Sequence, residues 1–241
     1  MKCNQIVSCK NISKSFGSLN ALRGVSIDIY PGESVSLVGA NGAGKTTLFN
    51  IILGLLSPDS GSCEILGVQS DKITASNREN IGFVADHASC IPWASAFDLA
   101  KLYASIYHRW NQKRFLDNTK LWQIDINRRL NQLSKGQKRL AEIALITATE
   151  PKILILDEPF NGLDSVMRIT IQRFLKNLQK QIELSIVYAT HIISEIPTIA
   201  DRMVILRLGE KVFDQKLNEM TCTPEETFKQ LYSNELNSNL Q

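Results

Sequence analysis

The 241-residue sequence has no apolar stretch approaching the roughly 18 residues that a membrane-spanning helix needs. Its opening residues, Met1-Lys2-Cys3-Asn4-Gln5, lack the apolar core of a signal peptide, so the chain is expected to stay in the cytosol. The five cysteines (Cys3, Cys9, Cys63, Cys90 and Cys222) include no CxxC pair and are odd in number. That argues against a zinc site or a disulfide framework and for reduced, partly buried small apolar residues. A net charge of +3 is too small to imply a nucleic-acid partner by itself. Neither an internal repeat nor a low-complexity block is present. With 44% hydrophobic and 21% charged residues, the composition is that of a soluble globular protein. The length suits one large α/β domain, or a core with a small subdomain.

The hydrophobic pattern alternates between strand and helix. Residues 5–10 and 25–30 read as strands, and in the second Val25, Ile27 and Ile29 alternate with Ser26, Asp28 and Tyr30. Pro31-Gly32-Glu33 is a turn. "SVSLV" (34–38) is β-rich and leads through "GANGAGKTT" into an apolar helix at 48–56, which Ser57-Pro58-Asp59-Ser60-Gly61 breaks. "SCEILG" and "NIGFVA" (80–85) are further strands. From about Ser95 to Glu150 only helices are expected: "SAFDLAKLYASIY", "QKRFLDNTKLWQI" and "KRLAEIALITATE". "KILILD" (152–157) and "LSIVYAT" (184–190) are continuous apolar runs, the mark of strands buried on both faces. Between them lies a long amphipathic helix with Ile171, Phe174, Leu175 and Leu178 on one side. "MVILRLGEKVF" reads as a hairpin turning at Leu208-Gly209-Glu210, and the polar tail from about Ser233 is expected to fray.

Two stretches carry chemistry. Gly39-Ala40-Asn41-Gly42-Ala43-Gly44-Lys45-Thr46 fits the phosphate-loop pattern GxxxxGK[ST] at every fixed position, between a β-run and a helix. Glycines there let successive N–H groups point at phosphate oxygens. Lys45 would reach the β- and γ-phosphates and the Thr46 hydroxyl would ligate Mg²⁺. In "ILILDEP", Asp157 ends a buried strand, where ligands bind in open α/β sheets, and is the natural acid to hold Mg²⁺. Glu158 is placed to polarise a water for in-line attack on a γ-phosphate. "LSKGQKRLAEIAL" (133–145) adds a loop, with Ser134 and Gly136, at the N-terminus of a helix, a second anion-binding arrangement.

With these residues on the page, the chain resembles the ATP-binding cassette (ABC) ATPases from residue 5 to about 215. "LSKGQ" is similar to their signature loop LSGGQ, with Lys135 in place of the first glycine. "NGLD" (161–164) resembles the D-loop, His191 the switch histidine, and Phe16 in "SKSFG" the aromatic that stacks on adenine. The resemblance implies an α/β P-loop NTPase (RecA-like) core with an antiparallel β subdomain and an inserted α-helical subdomain. The expected division is one cassette over 1–232, its core and β subdomain from 1–86 and 150–220, its helical subdomain at 87–149, and a tail at 233–241. It implies ATP and Mg²⁺ as ligands, with Thr47 lining the α-phosphate, Glu158 as general base and His191 on the γ-phosphate. It also implies head-to-tail pairing with a second ABC ATPase subunit, the same or different. Ser134, Lys135, Gly136 and Gln137 of one chain would then cap the nucleotide of the other, with Asp164 near the interface.

Two departures stand out. Lys135 places a cation in the signature. Asp86, followed by His87, occupies the position where the family usually has a glutamine; as a shorter but harder ligand it is expected to join the Mg²⁺ site with Thr46 and Asp157, the alternatives being a weakened site or a structural turn acid. Transport would need a separate integral membrane permease, since the chain has no membrane segment. The segment 87–103, with Trp93 and Phe97, is a candidate to receive it. "YHRWN" (107–111) resembles a compact subgroup of bacterial export ATPases for peptides, antibiotics or bacteriocins, and the lack of a long C-terminal regulatory domain also favours export. The alternatives are a non-transport ABC ATPase acting in translation or DNA repair, and a small-molecule P-loop kinase. The first group usually carries two cassettes or a long coiled coil, and no sustained heptads lie between Lys45 and Leu133. The kinase would leave Ser134, Gly136, Gln137 and His191 without a task.

Overall fold

The computed structural model describes residues 5–86 and 91–238, apart from the side chains of 232–238. Ten strands run in chain order: β1 (Val7–Phe16), β2 (Leu19–Ile29), β3 (Ser34–Val38), β4 (Ser60–Ile65), β5 (Val68–Gln69), β6 (Ile81–Val84), β7 (Ile153–Asp157), β8 (Ser185–Thr190), β9 (Arg202–Arg207) and β10 (Glu210–Lys216). The helices are α1 (Lys45–Ile52), α2 (Ala75–Arg78), α3 (Ala96–Ile106), α4 (Gln112–Leu121), α5 (Lys135–Thr147), α6 (Ser165–Ile182), α7 (Ile196–Ile199) and α8 (Pro224–Ser238).

Six strands form one sheet in the order β10-β9-β3-β8-β7-β6, parallel except for the β10 edge. The other four form an antiparallel sheet, β2-β1-β4-β5. The apolar runs of β7 and β8 feed two cores by strict alternation. Leu154, Leu156, Ile186 and Tyr188 pack on the side of α3, α5 and α6. Ile153, Ile155, Val187 and Ala189 pack on the other side, against α1 and the antiparallel sheet. Side chains alternate faces along a strand, so a strand covered on both faces must be apolar throughout.

Helices α3, α4 and α5 all fall between β6 and β7, as the absence of strand patterning there anticipates. Two differences from the sequence reading have physical causes. The first strand runs on to Phe16 and turns back at once into β2, because bulges at Asn11 (φ 51°) and Gly24 (φ 65°) shift the register and hide the alternation. The tail expected to fray from Ser233 is helical backbone to Ser238. The first turn of α8 is fixed by Thr223, whose Oγ1 accepts from Glu226 N at 3.2 Å, and Phe228 and Leu231 pack on the main core. Cys9 and Cys63 sit opposite each other on β1 and β4, buried, with thiol sulfurs 3.1 Å apart. The neighbouring thiol and burial push the Cys9 pKa up, which disfavours its reactive thiolate form. Cys3, Cys90 and His87 lie outside the described residues.

Helix α6 ends on Glu183, a glutamate in the left-handed region (φ 51°, ψ 37°) that favours glycine. Glu183→Gly should raise stability by about 0.5–1 kcal/mol, read as a higher urea midpoint with unchanged slope.

Candidate functional site

The carboxyl ends of β3, β8 and β7 lie side by side, with Val38 opposite Thr190 and Asp157 opposite Ala189. The next residues along each strand, Gly39, His191 and Glu158, therefore emerge at one edge of the sheet, the usual place for a ligand in an open α/β fold.

After β3 the chain curls through Gly39–Gly44 into α1. Gly44 has φ 102°, and a Cβ there would lie 2.5 Å from the Ala21 carbonyl oxygen, so only glycine lets the loop pass under β2. Lys45 is buried and bent back. Its Nζ donates to the carbonyls of Gly39 (2.7 Å) and Ala40 (3.3 Å) and lies 3.2 Å from Glu158 Oε1. Thr46 Oγ1 donates to Asp157 Oδ2 at 2.7 Å. Asn41, Gly42, Ala43, Thr47 and Phe16 complete the walls of this hollow, with Asp86 at its rim. Phe16 is 49% exposed, with Lys14 Nζ over its ring at 5.8 Å from the centroid.

Asp157 is buried and its Oδ1 has no hydrogen-bond partner. Burial raises its pKa; the charges of Glu158 and Asp86 push the same way, while the Thr46 hydroxyl and Lys45 oppose them. An orphaned carboxylate oxygen beside a hydroxyl is a donor set that fits a hard cation. Among the described residues no three His, Cys, Asp or Glu side chains form a metal cage alone. A cation here would need Thr46 and ligand oxygens as well. Glu158 follows directly with φ 47°, a strained value for a side-chain-bearing residue. That turn sends Oε2 to His191 Nδ1 at 2.9 Å while Oε1 faces Lys45.

The loop of Ser134–Gln137 lies on α5, where Lys135 lines a separate hollow with Lys138, Arg139, Asn161 and Gly162. Ser134 is the N-cap: its Oγ accepts from Gln137 N (3.2 Å), while Gln137 Oε1 accepts from Ser134 N (3.1 Å), a reciprocal capping box. Gly136 is buried against α6, where a Cβ would run into the Met167 sulfur. Asp164 caps α6 by accepting from Met167 N at 2.9 Å. The hollow beside the phosphate loop and the hollow beside Lys135 share one residue of the sequence reading, Asp86.

Three charged residues around the site escaped sequence reasoning, Glu195, Arg168 and Arg139. Glu195 is buried, accepts from Thr190 Oγ1 at 3.1 Å and pairs with Arg168, 3.1 Å away. Arg168 also donates to the Leu163 carbonyl at 3.2 Å, which ties the loop before α6 to the loop after β8. Arg139 and Asn161 both reach Asp86. The three charges sit on helical segments whose pattern gives no hint of their distant partners, whereas Asn161 lies in the D-loop of the sequence reading. The run Tyr107–Asn111 is mostly packing. Trp110 lies against Phe115 (5.6 Å between centroids) and Tyr103 (6.1 Å), and Arg109 bonds Asn80. His108 is exposed and meets Glu79 at 2.8 Å.

Residues 22–161 match the family model described as ABC transporter. The sulfate/thiosulfate import ATP-binding protein of Pseudomonas syringae pv. tomato is 36% identical over 212 residues, 84% of this chain and 65% of that protein. The protein of the same description from Cucumis sativus is 35% identical, over 84% of this chain and 60% of its own length. The chain thus spans less than two thirds of these relatives. Among solved structures, the ATP-binding cassette MJ0796, a dimer in a post-hydrolysis state bound to ADP and Pi, is 30% identical with a TM-score of 0.79 over 89% of this chain and all of that one. CbiO1 from Clostridium perfringens, part of the transporter complex cbiONQ, is 28% identical with a TM-score of 0.76, over 93% of this chain and 91% of its own.

The raised pKa of Asp157 has a stability consequence. An acid that folding makes weaker favours the fold only while protonated; that contribution disappears as pH rises through the folded pKa. Asp157→Asn should therefore raise the ligand-free Tm by a few degrees at pH 7.5. The gain should shrink as pH falls into the acid range, in melting curves followed between pH 4 and 8.

Proposed function

The chain belongs to the ABC transporter family as one of its ATP-hydrolysing cassettes, and from that premise we propose that it powers transport through a separate integral membrane permease. The observation that carries this reading is the convergence of Lys45, Thr46, Asp157, Glu158 and His191 at the ends of three adjacent strands. ATP would lie along Gly39–Thr47, with its adenine on Phe16 and its γ-phosphate competing with Glu158 for Lys45. Freed from Lys45 but still held by His191, Glu158 takes a proton from the attacking water. The water oxygen bonds to the γ-phosphorus, and the bond to the bridging oxygen breaks, leaving with ADP. Thr46 and Asp157 are the residues that would hold Mg²⁺, with Asp86 at the rim; the orphaned Asp157 Oδ1 supports this fit. When bound, Mg²⁺ neutralises phosphate charge.

The signature loop serves a second cassette, identical or different. Ser134, Lys135, Gly136 and Gln137 present a helix N-terminus to the partner's γ-phosphate, with Asp164 close to the interface. A capping hydroxyl that accepts with its oxygen still has a proton to donate, so the capping box and this role are compatible. The similarity to a dimeric cassette bound to ADP and Pi supports the pairing.

The permease is received by the apolar groove of Phe83, Leu99, Leu102, Tyr103, Leu145 and Ile146, with Trp93 exposed in the segment before α3. Phe97, half-buried under Lys101, lies on the same helix; residues 87–90 of this segment lie outside the described residues. No helix among the described residues is long and apolar enough to cross a membrane. This suits work at the cytoplasmic face with membrane contact through the permease alone. The preference for export of a peptide or antibiotic rests in part on Tyr107–Asn111, where Trp110 does packing work, whereas the relatives carry import in their names. The permease that co-purifies with the chain decides direction and cargo.

Two variants test the mechanism. Glu158→Gln should retain ATP binding, lose about 10²–10⁴-fold in turnover and accumulate as an ATP-bound dimer in size-exclusion chromatography; a chain that stays monomeric with ATP beside its permease rules out the paired site. Asp86→Ala should raise the Mg²⁺ concentration needed for half-maximal turnover; an unchanged Mg²⁺ profile and rate remove Asp86 from the metal site.

A further inference from the structure

Arg139 has the geometry of a clamp. It lies in the second turn of α5, buried to 6% exposure, with the Glu142 carboxylate 3.4 Å away. A buried guanidinium costs stability unless its fork is satisfied. Here the fork closes on backbone: Nη1 donates to the Ala85 carbonyl at 2.5 Å and Nη2 to the Asp86 carbonyl at 2.6 Å. Two consecutive carbonyls just beyond the end of β6 are thereby tied to the helix that carries Ser134–Gln137. Asp86 continues the chain of contacts, since Oδ1 accepts from Asn161 Nδ2 at 3.3 Å in the loop that follows Glu158.

We infer that Arg139 is a positioning residue for ATP hydrolysis: by holding the backbone of residues 85 and 86 it fixes Asp86 at the rim of the phosphate site and locks that rim to the signature helix. The inference rests on the reading of Asp86 as part of that site. The physical basis is the shape of the group. A planar guanidinium spans two adjacent carbonyls with its geometry set in advance, whereas an ammonium satisfies them as a point charge without fixing their relative orientation. Rotation of the peptide at 85–86 would re-aim the Asp86 side chain, and any movement of α5 would carry that peptide with it. The clamp thus joins the residue that senses the chain's own nucleotide to the loop that faces the other.

The test is a double-mutant cycle on the intact chain, with Mg-ATP as substrate and ATP binding measured separately in EDTA. Arg139→Lys keeps the charge; it should lower kcat at least tenfold, leave the ATP Kd within twofold, and raise the Mg²⁺ requirement as Asp86→Ala does. The double variant should be no worse than the poorer single one, because both act through the same carboxylate. Wild-type turnover in Arg139→Lys, or losses that multiply in the double variant while Asp86→Ala alone is impaired, overturns the clamp and spares the Asp86 reading. A silent Asp86→Ala overturns both. If Arg139→Lys does not fold, amide exchange on the Glu158→Gln chain decides instead. Protection of 85–86 and of 135–140 should rise with the same dependence on Mg-ATP concentration, and separate dependences overturn the inference.

Discussion

The register of three parallel strands is the constraint from which the site follows. β3, β8 and β7 are paired so that Val38 meets Thr190 and Asp157 meets Ala189, and both faces of the sheet are buried. A slip of one residue would exchange every inward side chain for its neighbour on the opposite face, so the hydrophobic cores hold the register. The loops that leave these strands have no choice of position. Lys45, Glu158 and His191, far apart in the chain, meet because two apolar cores will not accept any other alignment.

At the strand ends that rigidity is spent on arrangements that a folded protein would otherwise avoid. A lysine is buried against carbonyls, a glutamate adopts a left-handed backbone, and a buried aspartate leaves one oxygen without a partner. Each costs stability, and each is tolerated because the surrounding strands over-determine the geometry. Under the proposed function, Lys45 would exchange carbonyls for phosphate and Asp157 would gain a cation as counter-charge.

The helical insertion follows a different logic. Its first turn in α5 serves local structure: Ser134 and Gln137 cap the helix, and Gly136 permits close approach to Met167. The signature pattern is therefore partly a folding requirement of the helix N-terminus. Lys135 meets neither need; its side chain lies over Gly162, beside the loop that carries Asp164. The insertion is joined to the core through Asp86, whose backbone is held from α5 and whose side chain is held from the loop after β7.

The phosphate loop was legible because its glycines, lysine and threonine are adjacent in sequence, and loop geometry at that spacing is a local property. The buried strands were legible because covering both faces demands unbroken apolar runs. The β1–β2 hairpin was not, since bulges disrupt the alternation on which the reading depends. Nor was the continuation of α8 to Ser238, where a cap at Thr223 and burial of Phe228 and Leu231 outweigh a polar composition. The α/β class, the phosphate loop and the acidic strand end follow from local pattern alone. That Arg139 grips Ala85 and Asp86, that Arg168 meets Glu195, and that Glu158 stands between Lys45 and His191 follows from the packing of distant segments. Those contacts join residues distant in sequence, and no local periodicity records which buried charge will face which.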